Sequence, residues 1–364
     1  MKKVVYIHPK NLDYYEDHEI FSLLNGYSSY IIVDNPKTAY QFKHFNKHII
    51  GNYKKLFIQQ LYYVTRLEEN LKEIDPDIVV TKEIYSLESF QVHRICKKFK
   101  FKHIIIVYEN TEFNNSLWGL FPFTRVISLI NRNSIFIAVS EEVQRNLIDV
   151  GVENKNIFRT YTGLFPKICT ENKSEQNRFN ILYIGNLFEH KGIKTLIKAF
   201  RMLKDAGYSN LFLYIAGRGY LSEYVKSASK EVENLYYLGY ISEERKKELY
   251  MDSDLFVYPS EDLFFFGTIP RWKEQTATSV MEAMRCGVPI IVSDSGSLPE
   301  IIGRQDLIFR QGNAGELSNK ILMVYNNKKP REDLGLFNKK RFMEQFDINK
   351  NADKINEYID SLDN

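Results

Sequence analysis

Residues 181–200 read ILYIGNLFEHKGIKTLIKAF. The apolar run Ile181 to Ile184 does not alternate and stops at Gly185, the pattern of a short strand covered on both faces. A short loop leads to Lys191-Gly192, after which Ile193, Leu196, Ile197 and Phe200 recur at the spacing of one helical face. Strand, turn and amphipathic helix form the repeating step of a parallel α/β sheet. The step recurs in both directions. Val4–Ile7, Tyr30–Val33, Ile78–Val80, Ile104–Tyr108 and Ile135–Val139 make one series of β-rich runs. Asn180–Ile184, Leu211–Ala216, Leu235–Leu238, Leu255–Tyr258 and Ile290–Val292 make a second. Helical periodicity lies between them, as in Leu56–Ile74 and Lys194–Lys204.

The alternation breaks in the polar stretch PKICTENKSEQNR at 166–178. The expected fold class is therefore α/β, with two Rossmann-like doubly wound domains facing across a cleft. The expected boundaries are a first domain at 1–164, a linker at 165–178 and a second domain at 179–340. The ending, 341–364, belongs to a long helical stretch (Asn338–Leu362) that packs back on the first domain. A chain of 364 residues, 44% hydrophobic, agrees with two domains at ~150 residues each.

Lys and Arg number 49 against 46 Asp and Glu, for a net charge of +3. That lacks the concentrated basic character of a nucleic-acid binder. Three scattered cysteines (Cys96, Cys169, Cys286) exclude a disulfide scaffold and a CxxC zinc site, and fit a reducing compartment. No uncharged apolar run reaches the ~18 residues that cross a bilayer. The opening MKKVVYIHPK reads as a first strand and not as a signal peptide, so a cytoplasmic location is expected.

The segment richest in chemistry is EQTATSVMEAMRCGVPIIVSDSGSLPEII, residues 274–302. Thr276–Cys286 reads as a helix with Thr276 or Thr278 as N-cap and Gly287 past its end, and Val288–Ser293 as a strand. Glu274 then stands just before a helix N-terminus at a strand-end crevice, where free N–H groups and the helix dipole favour an anionic phosphate. Glu282, about two turns on, is read as facing the same crevice. Carboxylates there suit the paired hydroxyls of a ribose or a sugar; the residues alone leave open the alternative of two solvated glutamates. Lys191 at a helix entrance suits a diphosphate, with a surface lysine beside a turn glycine as its alternative. The segment is not a P-loop, because Ile193 follows Gly192.

In order and spacing, five pieces of the second half resemble the family 4 glycosyltransferases of the GT-B type. They are GNLFEHKG (185–192), LYIAGRG (213–219), YLGYISEE (237–244), DLFVYPS (254–260) and the E-x7-E core at Glu274 and Glu282 with EAMRCGVPIIVSDSGSLPEII. The first half resembles it more loosely, in its opening strand, DPDIVV (75–80) and AVSEEVQRNLIDVGV (138–152) with Gly163. The resemblance implies a retaining, metal-independent hexosyltransferase with no cofactor beyond its nucleotide-sugar donor. The donor would be held by the second domain, and a saccharide or lipid-linked acceptor by the first. It implies Glu282 on the donor ribose, Glu274 on the transferring sugar and Lys191 on the diphosphate. Backbone amides of Thr276, Ala277, Thr278 and Ser279 would assist Lys191. The loop Gly239, Tyr240, Ile241 would lie against the nucleobase, and Gly185, Asn186 and Arg218 near the phosphates. The family usually has arginine at Asn186, a loss that Arg271 or Lys273 would offset, and glycine at Ala277. It often carries a histidine after the fourth strand of the first domain; here Glu109 follows and is the acceptor-side candidate, an ordinary loop carboxylate being the alternative.

Asp252-Ser253-Asp254 spells a metal-binding DxD, but it directly precedes a strand and is read as structural. His44 and His48 lack a third ligand, so a zinc site is not expected. His8, closing the first strand, is read as a satisfied loop histidine, with the crevice as its alternative. Residues 37–66 interleave six Lys/Arg with Phe42, Phe45, Tyr53 and other apolar residues, without an acid. At helical spacing that suits an anionic membrane surface, the alternative being a solvated basic face over a core. Leu117–Phe123 is a second candidate contact for lipid or acceptor. Two other functions remain open: a nucleotide-sugar epimerase of the same shape, and a non-catalytic sugar-nucleotide-binding scaffold.

Overall fold

The computed structural model describes residues 1–8, 16–55, 62–111, 134–167, 169, 178–265 and 269–362. The chain divides into two compact units. One is Met1–Phe165 with Phe265–Arg271 and Phe346–Asn364; the other is Pro166–Phe264 with Trp272–Gln345.

The described strands of the first unit are β1 (Lys2–Ile7), β2 (Tyr27–Val33), β3 (Lys47–Ile50), β4 (Asn52–Lys55), β5 (Tyr62–Thr65), β6 (Ile78–Lys82), β7 (Lys102–Val107), β8 (Ile135–Ala138) and β9 (Ile157–Arg159). Seven form one sheet in the order β3-β2-β1-β6-β7-β8-β9, parallel throughout. Strands β4 and β5 pair antiparallel with each other. Ile104 to Val107 are all buried, because helices cover both faces of a parallel sheet, and this is why the run does not alternate. The chain returns to this unit at its end. Leu164 N–H donates to the Phe346 carbonyl at 2.8 Å, and Ile348 N–H to the Leu164 carbonyl at 3.0 Å. The helix Ile348–Ser361 then places Ile348, Ala352, Ile355 and Ile359 in the same core as β7 and β8.

The second unit holds β10 (Phe179–Ile184), β11 (Leu211–Ala216), β12 (Leu235–Gly239) and β13 (Leu255–Tyr258), then β14 (Leu263–Phe265) and β15 (Ile269–Trp272), and finally β16 (Ile290–Ser293) and β17 (Ile308–Phe309). Its sheet runs β12-β11-β10-β13-β16-β17, all parallel. The chain moves outward from β10 to β12 and then returns to β13 on the other side of β10. The point of reversal therefore lies between the carboxyl ends of β10 and β13, where open α/β sheets leave a crevice for ligands.

Four local readings are corrected. Residues 37–66 are not a helix carrying a basic and aromatic face. Among the described residues there, helix is confined to Pro36–Gln41, followed by β3, β4 and β5. Phe42, Phe45 and Tyr53 are buried, while Lys37, Lys43, Lys47, Lys54 and Lys55 are exposed, so the aromatics belong to the core. Of the expected helix Leu56–Ile74, residues 56–61 lie outside the described residues, and among the rest only Leu67–Ile74 is helical. The long terminal helix is broken into Lys328–Arg341, a π-helical turn over Phe342–Phe346, and Ile348–Ser361. Burial of Phe342 and Phe346 and the Asp347 side-chain cap on Asn349 N–H set the break. Finally, the reading of three scattered thiols missed a pair: Cys169 and Cys286, 117 residues apart, form a disulfide, with Cα atoms 5.1 Å apart. Spacing along a chain does not encode this proximity. Leu117–Phe123 and most of the 165–178 linker lie outside the described residues.

Candidate active site

In the second unit, the turn after β10 brings Lys191 to the point of strand reversal. Gly192 has φ +64°, and a Cβ there would overlap the Pro259 carbonyl, so glycine lets this turn nest against the chain leaving β13. Lys191 Nζ lies 2.7 Å from Glu274 Oε2 and 3.3 Å from the Tyr258 hydroxyl. Ser260 Oγ donates to the same Glu274 oxygen at 2.5 Å. The ammonium also sits 4.4 Å from the centre of the Trp272 ring. Lys191 is 9% exposed and Glu274 4%. A lysine and a glutamate 83 residues apart thus form a buried ion pair. Sequence reading placed both at the crevice but did not find Tyr258, Ser260 or Trp272, which carry no spacing signal.

The second glutamate has partners of its own. Glu282 Oε1 accepts from Lys246 Nζ at 2.8 Å, and Oε2 from the Tyr250 hydroxyl at 2.9 Å. Burial pulls the Lys246 ammonium down, but Glu282 and Glu243 together hold it above its ordinary value. Burial, then Glu282, drives the Tyr250 hydroxyl well above its ordinary value. Neither Lys246 nor Tyr250 stood out in the sequence.

The helix that carries Glu282 spans Thr278–Arg285. The expected threonine cap is corrected: the residue at the N-cap is Ala277, left-handed at φ +40°, and no side chain caps the helix. The first-turn N–H groups, Thr278 and Ser279 among them, keep their donor capacity. A left-handed N-cap is a position that glycine occupies without strain.

The remaining candidates line the loops at the carboxyl ends of β10, β11 and β12. Gly185 N–H donates to the Ala216 carbonyl (3.1 Å), Leu187 N–H to Arg218 (2.9 Å) and Gly217 N–H to Gly239 (2.7 Å). The three loops are laced through their backbones. Asn186 is exposed, and its carbonyl accepts from the Tyr183 hydroxyl at 2.9 Å. The Arg218 guanidinium lies 5.0 Å from the Tyr240 ring centre. Tyr240 is 74% exposed, and Ile241 is half-buried beside it. Asp252 and Asp254 are turned to structure: the Asp252 carbonyl and Asp254 carboxylate receive Asn180 Nδ2 and N–H, at 3.0 and 2.9 Å.

In the first unit, Glu109 follows β7. It is buried, and its Oε1 accepts from Thr111 N–H (2.9 Å) and Oγ1 (2.7 Å). His8 is buried with the rings of Phe42 and His18 5.1 and 5.3 Å away. His44 stacks on Phe165 and His48 meets the Phe42 carbonyl. Glu83, unnoticed in the sequence, follows β6 with φ +63°. One of its oxygens accepts from Tyr108 N–H at 3.1 Å, and the other is buried without a hydrogen-bond partner. Burial, opposed by Lys82 and reinforced by Glu109, pushes the Glu83 carboxyl from 4.5 up to about 7. The folded chain therefore holds this proton more tightly than the unfolded one. Its stabilising contribution is complete below 4.5 and is lost as the pH rises to about 7. Urea unfolding at pH 4.5 and 8 is expected to show Glu83→Gln losing up to ~3 kcal/mol less than wild type over that interval.

Residues 166–341 match the family model described as glycosyl transferases group 1. An uncharacterized glycosyltransferase of Methanocaldococcus jannaschii is 23% identical over 98% of this chain and 93% of its own length. The N,N'-diacetylbacillosaminyl-diphospho-undecaprenol alpha-1,3-N-acetylgalactosaminyltransferase of Campylobacter jejuni is 30% identical over 60% of this chain and 56% of its own. Among solved structures, Anabaena HepE in complex with UDP superposes with a TM-score of 0.76 at 15% identity, covering 99% of this chain and 100% of that one. Residues 166–341 are thus similar to the group 1 glycosyl transferases, within a chain whose two Rossmann-like units have the GT-B fold.

Proposed function

We propose that the protein is a retaining, metal-independent glycosyltransferase of family 4. It would move a hexosyl unit from a nucleotide-sugar donor, bound by the second unit, to a saccharide or lipid-linked acceptor bound by the first. The observation that carries this reading is the buried Lys191–Glu274 pair at the strand reversal of the second sheet. An ammonium has three N–H donors; Glu274 and Tyr258 engage two, leaving one for a phosphate oxygen. The scissile bond joins the sugar's anomeric carbon to a phosphate oxygen. As it breaks, negative charge builds on the departing diphosphate and positive charge on the sugar. Lys191 and the uncapped amides at Thr278 and Ser279 meet the first charge, and Glu274 faces the second. The acceptor oxygen takes over the anomeric carbon on the same face, and its proton leaves with the diphosphate or through an acceptor-side carboxylate such as Glu109.

The substrate named in the Campylobacter relative and the UDP held by the Anabaena protein support placing this activity in the synthesis of cell-surface polysaccharide or glycoconjugate. The location would be cytoplasmic, at the inner face of the membrane. Among the described residues, no helix is long and apolar enough to cross a membrane. Contact with anionic lipid through 37–66 would rest on the exposed lysines and Arg66, without the aromatics.

The test is a thermal-shift screen over UDP-, GDP- and ADP-sugars, followed by the anomeric configuration of the product by NMR. A true donor at 100 times its Kd stabilises by ~2.7 kcal/mol. Absence of any shift and of any donor turnover would refute the reading; an inverted product would refute retention alone.

A further inference from the structure

Glu282 has one partner on each carboxylate oxygen. A carboxylate offers about four lone-pair positions, two per oxygen. Lys246 takes one on Oε1 and Tyr250 one on Oε2, so each oxygen keeps one acceptor position, side by side. That is the spacing at which two neighbouring hydroxyls on a five-membered ring meet a carboxylate. Glu282 as a whole residue is 7% exposed, and a buried charge held at two points cannot swing to suit a ligand that offers only one hydroxyl.

Both partners come from one helix, Glu243–Asp252, whose buried residues are Leu249 and Tyr250 alone. Its hydrogen bonds to Glu282 and to the Ser279 carbonyl tie it to the helix Thr278–Arg285. Ser242 caps its start, directly after Tyr240 and Ile241. Lys246 also reaches Glu243 at 2.9 Å, which keeps the ammonium over its own first turn. Tyr250 Oη lies 2.9 Å from Glu282 and 3.1 Å from the Ser279 carbonyl, bridging to the helix that carries Glu282. The aromatic ring packs on Phe256 of β13, 5.6 Å between centres, so the hydroxyl is anchored from the sheet.

We propose that Lys246 and Tyr250 are positioning residues that fix Glu282 as a two-point acceptor for a vicinal diol, and thereby make the chain select ribonucleotide donors over their 2'-deoxy counterparts. The inference rests on the reading that Glu282 meets the donor ribose. A salt bridge that only tied two helices together would affect folding but not this selection.

The experiment measures Kd by calorimetry for UDP, GDP and ADP and for the 2'-deoxy form of each. Wild type, Lys246→Met, Lys246→Arg and Tyr250→Phe are compared, each with its melting temperature. Wild type is expected to bind the ribonucleotide about tenfold or more tighter than the deoxy form. In Lys246→Met the ribonucleotide weakens by roughly tenfold and the preference collapses. Lys246→Arg restores it, and Tyr250→Phe, which keeps the packed ring, loses most of it. Donor KM rises with the same pattern while kcat moves little. If the variants fold and keep the wild-type preference, or wild type has none, the clamp is wrong and the donor-site reading stands. If no nucleoside diphosphate binds wild type, both fall.

Discussion

Lys191→Met and Glu274→Gln are each expected to lower transfer by about 10²–10³-fold, because each removes charge aimed at the breaking sugar–phosphate bond. Each is also expected to destabilise the second unit by about 3–5 kcal/mol, since truncating one partner strands the other charge in a buried site. Stability and activity separate in the double variant. Lys191→Met with Glu274→Gln leaves no buried charge, and the glutamine keeps a hydrogen-bond acceptor for Ser260 Oγ, now 2.5 Å from Glu274. Denaturant unfolding should recover most of the lost stability, while transfer stays as low as in the worse single variant. Recovery of activity together with stability would mean that the pair only holds the fold together.

Gly296→Val is the second large effect, and it reaches the same carboxylate from behind. Gly296 has φ +48°, and a Cβ there would overlap the Glu274 carbonyl and lie 2.7 Å from its nitrogen. The obstacle is backbone, which cannot rotate aside as a side chain would. Ser297 N–H also donates to the Glu274 carbonyl at 3.0 Å, so the two segments are already in contact. Valine must displace the segment that carries Glu274. The expected result is a loss of roughly 1–3 kcal/mol and at least a hundredfold drop in transfer, since an ångström of misplacement alone costs ~10²-fold. Gly312→Ala is the control: its φ is +74° and nothing lies within 4 Å of the added carbon. It bears backbone strain without overlap and should keep its activity. Equal activity losses in both would show that general instability, and not the position of Glu274, is responsible.

Much of the architecture was readable from local patterns. Each of the ten apolar runs corresponds to a strand, because parallel strands buried on both faces need unbroken β-rich runs. The strands that went unread are β3, β4, β5, β9, β14, β15 and β17. Lys47–Ile50 has no buried residue and Asn52–Lys55 has one, so they present no apolar run to find. Residues 37–66 misled for a related reason. Aromatics spaced like a helical face were drawn into the core by β2 and its neighbours, and spacing is silent on the direction in which a side chain is buried. The terminal helix misled because its amphipathic period continues through a π-helical turn.

The order of residues by itself determined the two-part α/β plan, and put Lys191 and Glu274 at helix entrances and Glu282 within the helix that follows Glu274. Those placements follow from periodicity and turn chemistry, which act over a few residues. Tertiary structure alone decided which charges meet: Lys191 with Glu274 across 83 residues, Lys246 with Glu282 across 36, Cys169 with Cys286 across 117. The reason is that a pairing between distant residues depends on strand order and on backbone approach at points such as Gly296, and these are properties of the assembled sheet that no short window of sequence contains.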